Sequence, residues 1–312
     1  MRAPVEGLVQ IAGNAVLDVL VRGTGLGGSA AEVWADNVQI VRDPVDGVLG
    51  GCGAATAYVL GGLGQQVVLN TNLGKDVWGD TLRNWLERVE VDIAGLKAAR
   101  TAVHVIALDA VGRRQSHYYR GEKVDWLASL ELPVPQVFFA AGYGSVESED
   151  ATDLHAVFAA LRRRGSLVVF DVSPWFAGRV EIEQMHALWK QVDCLVGTEE
   201  ELLVWQDAEN AEDLAQRVLD RGVERVVVKR GADGALFAAR DGAQGQVDVR
   251  PVSAGNSVGA GDCFNGRLLY GLVQGEGLCD AVGAAADLAT RIVERGRGAL
   301  GAFYTQRRKE NG

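Results

Sequence analysis

The chain of 312 residues, 48 % of them hydrophobic, is long enough to bury one large core or two modest ones. Its formal net charge of −10 argues against nucleic acid or an anionic membrane as the main partner, so an anionic ligand would need a local basic pocket or a metal. Cys52, Cys194, Cys263 and Cys279 form no Cys-x-x-Cys pair and have no histidine at ligand spacing, which argues against a zinc site or a disulfide framework and for reduced thiols in the cytoplasm.

Taken in order, Leu8 to Ala12 is a short apolar run that stops at Gly13-Asn14, as a buried strand does at a turn that forms part of a site. Ala15 to Arg22 and Trp34 to Val41 alternate more loosely around the glycine-rich Gly23 to Gly28, and are expected to be antiparallel strands with one wet face. Gly50-Gly51-Cys52-Gly53 leads into a small, apolar helix, Ala54 to Leu63. A strand, Gln66 to Thr71, and a helix, Asp76 to Val89, follow. Ala102 to Leu108 and Arg114 to Arg120 flank the turn signal Asp109-Ala110-Val111-Gly112, and with the two strands before residue 50 could form a small separate sheet.

From Gln136 the pattern becomes strict strand–helix alternation. Strands are expected at Val137 to Ala140, Leu167 to Asp171, Cys194 to Val196 and Arg225 to Lys229, with helices at Asp150 to Arg164, Ile182 to Val192, Thr198 to Trp205 and Ala211 to Arg221. That is the mark of a parallel sheet with helices on both faces. A strand pair around Phe237 and Val247, a last helix from Leu278 to Val293 and a polar tail from Gln306 complete the chain. No apolar run reaches the ~20 residues of a bilayer span, and Met1 to Gly7 lacks a signal-peptide pattern, so a soluble cytoplasmic protein is expected.

In such sheets ligands bind beyond the carboxyl ends of the strands, which singles out Asn14, Gly74, Asp171, Thr198, Gly231 and the turn at 259 to 262. The run Asn256-Ser257-Val258-Gly259-Ala260-Gly261-Asp262-Cys263-Phe264-Asn265-Gly266 follows the alternating Val247 to Val252 and opens an apolar-periodic segment, so it reads as strand, tight turn and helix start. Small residues at 259 to 261 let successive N–H groups converge on an anion at a helix N-terminus. Asp262, in the first helical turn, would repel that anion unless it faced a hydroxyl whose proton it accepts. Donors for phosphoryl charge beside such a base make a minimal kinase site.

That run resembles the C-terminal signature of the ribokinase-like (PfkB-type) carbohydrate and nucleoside kinases. Gly50 to Ala57 is similar to the family's N-terminal Gly-Gly signature, Gly13-Asn14 with Asp18 to its sugar-binding Gly-Asn-x-x-x-Asp, and Gly74-Lys75-Asp76-Val77-Trp78-Gly79 to its Gly-x-Asp-x-x-Gly segment. Thr198 to Glu201 stands where the family carries Asn-x-x-Glu, and Lys229 to Gly234 resembles the segment beside the nucleotide phosphates and ribose.

The resemblance implies an α/β fold, a three-layer α/β/α sandwich with a mainly parallel sheet, in one domain over 1–312, with a small β lid from 15–48 and 102–120 through which many relatives form homodimers. It implies ATP-dependent phosphorylation of a sugar or nucleoside hydroxyl. Asp262 would be the base and Gly259, Ala260 and Gly261 the anion hole. Asn14, Asp18, Gly50 and Gly51 would bind substrate; Lys229, Gly231, Thr198 and, beside adenine, Asp287 would bind nucleotide. Glu201 would help organise magnesium through water. Departures from the pattern are Ala55 for a sugar-binding Asn, Thr198 for Asn, and Asn256 for an Asp associated with a monovalent cation, which argues against potassium activation. Arg120, after Tyr118-Tyr119, suggests an acidic sugar.

A Walker-type phosphate loop is absent, and Gly51-Cys52-Gly53 lacks the rest of a dinucleotide fingerprint. His104, His117, His155 and His186 match no triad or metal spacing. The rival reading is a catalytically idle sugar- or nucleotide-sensing protein on the same fold.

Overall fold

The computed structural model describes residues 3–24, 32–35, 38–95, 100–109, 113–143, 146–252 and 256–303. Strands β1 (Val5–Ala12), β2 (Val16–Arg22), β3 (Glu32–Ala35), β4 (Val38–Ile40) and β5 (Asp46–Gly50) precede helix α1 (Cys52–Gly62). Next come β6 (Gln66–Asn70), α2 (Val77–Glu87), β7 (Val91–Ala94), β8 (Ala102–Leu108) and β9 (Arg114–Tyr119). The alternating part runs β10 (Pro135–Ala141), α3 (Ser148–Arg163), β11 (Leu167–Asp171), α4 (Ile182–Trp189), β12 (Cys194–Thr198), α5 (Glu199–Leu203), α6 (Ala211–Asp220) and β13 (Arg225–Lys229). Strands β14 (Ala235–Ala239) and β15 (Gln244–Val247) and helices α7 (Ala260–Gln274) and α8 (Leu278–Arg295) complete it.

Among the described residues nine strands form the main sheet, in the order β15-β14-β13-β12-β11-β10-β1-β6-β7, parallel except at β14 and β15. Its central strands are apolar on both faces because both are covered. Val168 and Phe170 of β11 pack with α3 to α6, where Phe138, Phe158, Phe170 and Phe176 meet edge to face. Val169, one residue between them, packs with α1, α2, α7 and α8 on the other face. The result is the expected three-layer sandwich.

The second sheet has the order β5-β2-β8-β9. It differs from expectation in one respect: the antiparallel neighbour of β2 is β5, while the described strand residues within 34–41 belong to a separate two-stranded ribbon, β3–β4. Asp46–Gly50 opens on Asp and Gly, both poor strand formers, so neither periodicity nor propensity marks it as a strand. The strand expected over 247–252 ends at Val247. The glycine run at 25–28, the turn at 110–112 and the tail from 306 lie outside the described residues. No helix among the described residues is long and apolar enough to cross a membrane.

Candidate active site

The turn before α7 is built around Gly259, whose φ of 77° suits glycine and whose missing Cβ would stand 3.1 Å from the Ala299 nitrogen. Asn256 Oδ1 accepts from the Val258 N–H at 3.1 Å, and the Ala260 N–H donates to the Ser257 carbonyl at 3.1 Å. Ala260 therefore uses its amide to close the turn instead of leaving it for an anion. The N–H groups of Gly259, Gly261 and Asp262 have no partner among the described residues, as befits the first positions of a helix without a side-chain cap. Thr56 Oγ1 of α1 donates to the Asp262 carbonyl at 3.3 Å, which fixes the start of α7 against α1.

Asp262 lines a cleft of about 490 Å³ together with Cys52, Asp171, Thr198, Glu201 and Lys229. Burial drives its carboxyl up to about 6, against the lowering effects of the Cys52 thiol and the Lys229 charge; Asp171 and Asp18 add to the rise. A carboxylate in that range is a stronger base than an exposed one and is still ionised at neutral pH. Burial, then the neighbouring Asp262, pushes the Cys52 thiol well above its ordinary range, so it stays protonated and donates. Sequence reasoning gave Cys52 no such role; its placement beside Asp262 needs α1 and α7 packed together.

Further along the cleft, Thr198 caps α5 and exchanges reciprocal hydrogen bonds with Glu201, at 3.2 Å and 2.8 Å. Gly231 lies at the same edge, and Val249, Pro251, Val252, Ala286, Ala289 and Val293 form an apolar slot beyond it. Lys229 faces the cleft, whereas Arg230 turns away to Glu199 at 3.2 Å. Asp287 does not line the slot: it is exposed and pairs with Arg291 at 2.6 Å, and its neighbour Ala286 faces inward in its place.

The residues expected from the sequence to bind substrate gather next to this cleft. The Cys52 N–H donates to Asn14 Oδ1 at 3.0 Å, and Asn14 Nδ2 donates to the Tyr118 hydroxyl at 3.3 Å. Register sets Asp18, His104 and Tyr118 in one row across β2, β8 and β9. His104 Nδ1 is 3.5 Å from Asp18 Oδ1, and its ring centroid lies 5.2 Å from that of Tyr118. His104 was given no role from the sequence, because the row depends on pairing between strands 80 or more residues apart. A Cβ on Gly50 would fall 2.3 Å from Asp18 Oδ2, and one on Gly51 2.6 Å from the Asn14 carbonyl oxygen. Both glycines are thus explained by the groups they leave room for. Arg120 is exposed and borders a small recess with Asn14 and Asn72, with no ion pair among the described residues.

Three other motif positions do not line the cleft. Asp76 caps α2, accepting from Gly79 at 2.9 Å and from the Thr101 hydroxyl at 2.7 Å, a clasp between α2 and the approach to β8. Ala55 is fully buried with Val59, Cys263 and Ile292. Asn256 Nδ2 is buried without a partner among the described residues.

A three-layer sandwich with a second small sheet, and an acid at a helix N-terminus in the cleft between its elements, defines the ribokinase-like class of fold. Residues 35–301 match the family described as pfkB family carbohydrate kinase, and the chain belongs to that family of ATP-binding carbohydrate kinases. It is 24 % identical to 5-dehydro-2-deoxygluconokinase of Clostridium beijerinckii over 78 % of each chain, and 28 % identical to fructokinase-2 of Zea mays over 73 % of this chain and 72 % of that one. Its structure is similar to that of ribokinase from Thermotoga maritima, with a TM-score of 0.74, 20 % identity and coverage of 94 % and 95 %. The Arabidopsis thaliana ribokinase solved with ribose and ATP matches with a TM-score of 0.74 at 19 % identity over 96 % of each chain.

Proposed function

We propose that this kinase transfers the γ-phosphoryl group of ATP to a primary hydroxyl of a sugar acid, with Asp262 as the general base. The observation that carries the reading is the position of Asp262: a carboxylate tuned to about 6 in the cleft, one residue from the open Gly261 amide. The hydroxyl gives its proton to Asp262 as its oxygen bonds to the γ-phosphorus. The bond from that phosphorus to the β,γ-bridging oxygen breaks, ADP leaves with the electron pair, and the Asp262 proton passes to solvent. The amides of Gly259, Gly261 and Asp262 take up charge on the phosphoryl oxygens.

Thr198, Gly231 and the apolar slot suit the nucleotide, and the slot accepts a flat base with little polar cost. Magnesium fits the donor set: Glu201 presents a hard carboxylate whose Oε1 takes no hydrogen bond among the described residues. Bound there through water, the ion would neutralise charge on the β- and γ-phosphates. On the acceptor side, Asn14 and Asp18 supply hydroxyl partners, and the Arg120 guanidinium, without an ion pair among the described residues, suits a carboxylate. A sugar acid is also the substrate class in the name of the Clostridium relative. The small sheet acts as a lid that keeps water from competing for the phosphoryl group. Exposed Val38, Ile40, Val45 and Tyr119 on the lid and its ribbon support pairing of two lids in a homodimer.

The test is incubation with ATP, magnesium and a panel of sugar acids, neutral sugars and nucleosides, followed by phosphorus NMR. A phosphate monoester formed fastest from a sugar acid is expected. Tight binding of sugar and ATP with no ester formed would overturn the reading in favour of an idle sensor.

A further inference from the structure

Three side chains from three elements meet on the floor of the cleft behind the amide cup. Lys229 Nζ, at the end of β13, donates to Asp171 Oδ2 at 3.0 Å. Asn265 Nδ2 of α7 donates to the same oxygen at 2.5 Å. The Asp171 side chain is 2 % exposed and that of Lys229 12 %, yet both border the cleft. A Cβ added to Gly261 would meet Lys229 Nζ at 4.0 Å, the one atom that close from beyond its chain neighbours and the backbone of its own helix turn among the described residues, so the ammonium faces the bare backbone of the cup.

As a device for stability this cluster is poor. Desolvating two charges cancels most of their attraction, and an apolar pair in their place would hold the strand ends together as well. The cluster is also incompletely satisfied, since Asp171 Oδ1 and Asn265 Oδ1 are buried without a donor among the described residues. What it does achieve is a fixed, permanently charged ammonium. Burial pulls the lysine down, but Asp171 and Glu201 outweigh it and leave Lys229 above its ordinary range.

We propose that Asp171 and Asn265 are positioning residues that hold the Lys229 ammonium against the Gly261 backbone, where it stabilises charge on the transferring phosphoryl group. The inference rests on the phosphotransfer reading and gives Lys229 a role in the transfer step in place of the nucleotide grip that the family resemblance implies. A phosphoryl oxygen seated on the Gly261 amide lies within reach of the ammonium, and charge on the equatorial oxygens is what a preorganised cation stabilises.

The experiment compares wild type with Lys229→Met, Asp171→Asn and the double variant Asp171→Leu/Lys229→Met, whose apolar pair avoids the uncompensated buried charge that Lys229→Met alone leaves. For both Lys229→Met proteins kcat should fall about 100-fold or more, while the calorimetric Kd for ADP, which lacks the γ-phosphate, changes less than about threefold. Methylammonium should restore part of the lost kcat. The acid limb of kcat/KM supplies a second readout. Cys52 from α1, Lys229 from β13, Asp171 from β11 and Asp18 from β2 face Asp262, so Lys229→Met should move the limb to higher pH and Asp171→Asn to lower pH. A kcat within threefold of wild type in the double variant, or ADP affinity lost in step with kcat, would overturn the proposal. If wild type itself forms no phosphate ester, the phosphotransfer reading falls and takes this inference with it.

Discussion

The two walls of the site are made in different ways. The cup wall is local: residues 259 to 262 are contiguous, and Lys229 and Asp171 end strands of the buried parallel sheet. The opposite wall is assembled one residue per strand, from Asp18, His104 and Tyr118, on a small sheet whose outer strand β9 is almost wholly exposed. Chemistry common to any phosphoryl acceptor can sit on the rigid wall, while recognition of a particular acceptor can change strand by strand on the other.

Stability should divide the same way. Phe170→Ala removes a fully buried ring from the main sheet and should cost about 3–5 kcal/mol. Tyr119→Ala on the small sheet, where the ring is 55 % exposed, should stay within about 0.5 kcal/mol; urea unfolding of the two variants measures the difference. Equal costs would mean that the small sheet is as much part of the core as β11.

Gly50→Ala sharpens the comparison on the acceptor side. Its new Cβ would collide with the Asp18 carboxylate, so KM for the sugar should rise about 10-fold or more, as for loss of a hydrogen bond to a charged group, with KM for ATP little changed. Steady-state kinetics in both substrates would show whether the effect stays on one wall. Arg120→Ala should raise KM about 10-fold for a carboxylated sugar, the worth of one charge-assisted contact, and leave neutral sugars nearly unaffected. Equal loss on both would remove Arg120 from carboxylate recognition.

The smallest effect is one of pH. In the proposed mechanism Asp262 accepts a proton only when ionised, and burial pushes its carboxyl up to about 6. Between pH 7 and 9 kcat/KM should be flat on the acid side, falling about tenfold per unit below pH 6. A limb near 4 would mean that the carboxylate is solvated in the working enzyme.

What could be read in the amino-acid sequence follows from the same contrast. Leu167–Asp171 and Arg225–Lys229 were legible to the residue because strands buried on both faces are unbroken β-branched and aromatic runs. The cup was legible because its residues are adjacent. Asp46–Gly50 was not, since its pairing with β2 and not its composition makes it a strand. His104 and Cys52 were missed for the same reason: each gains its neighbour, Asp18 or Asp262, through tertiary register. Asp287 shows the limit of motif transfer along a helix, where one position is a rotation of about 100°. Ala286 and Thr290 face the slot, and Asp287 between them faces water.

The most direct test of the central claim is the rate of phosphate-ester formation by Asp262→Asn, measured at saturating ATP beside its affinity for ADP. Asparagine keeps the shape of the side chain and removes the proton acceptor, so kcat should fall about 10²–10⁴-fold with ADP binding intact. A variant that turns over within a few fold of wild type would show that another group takes the proton, and the account of this site would be wrong.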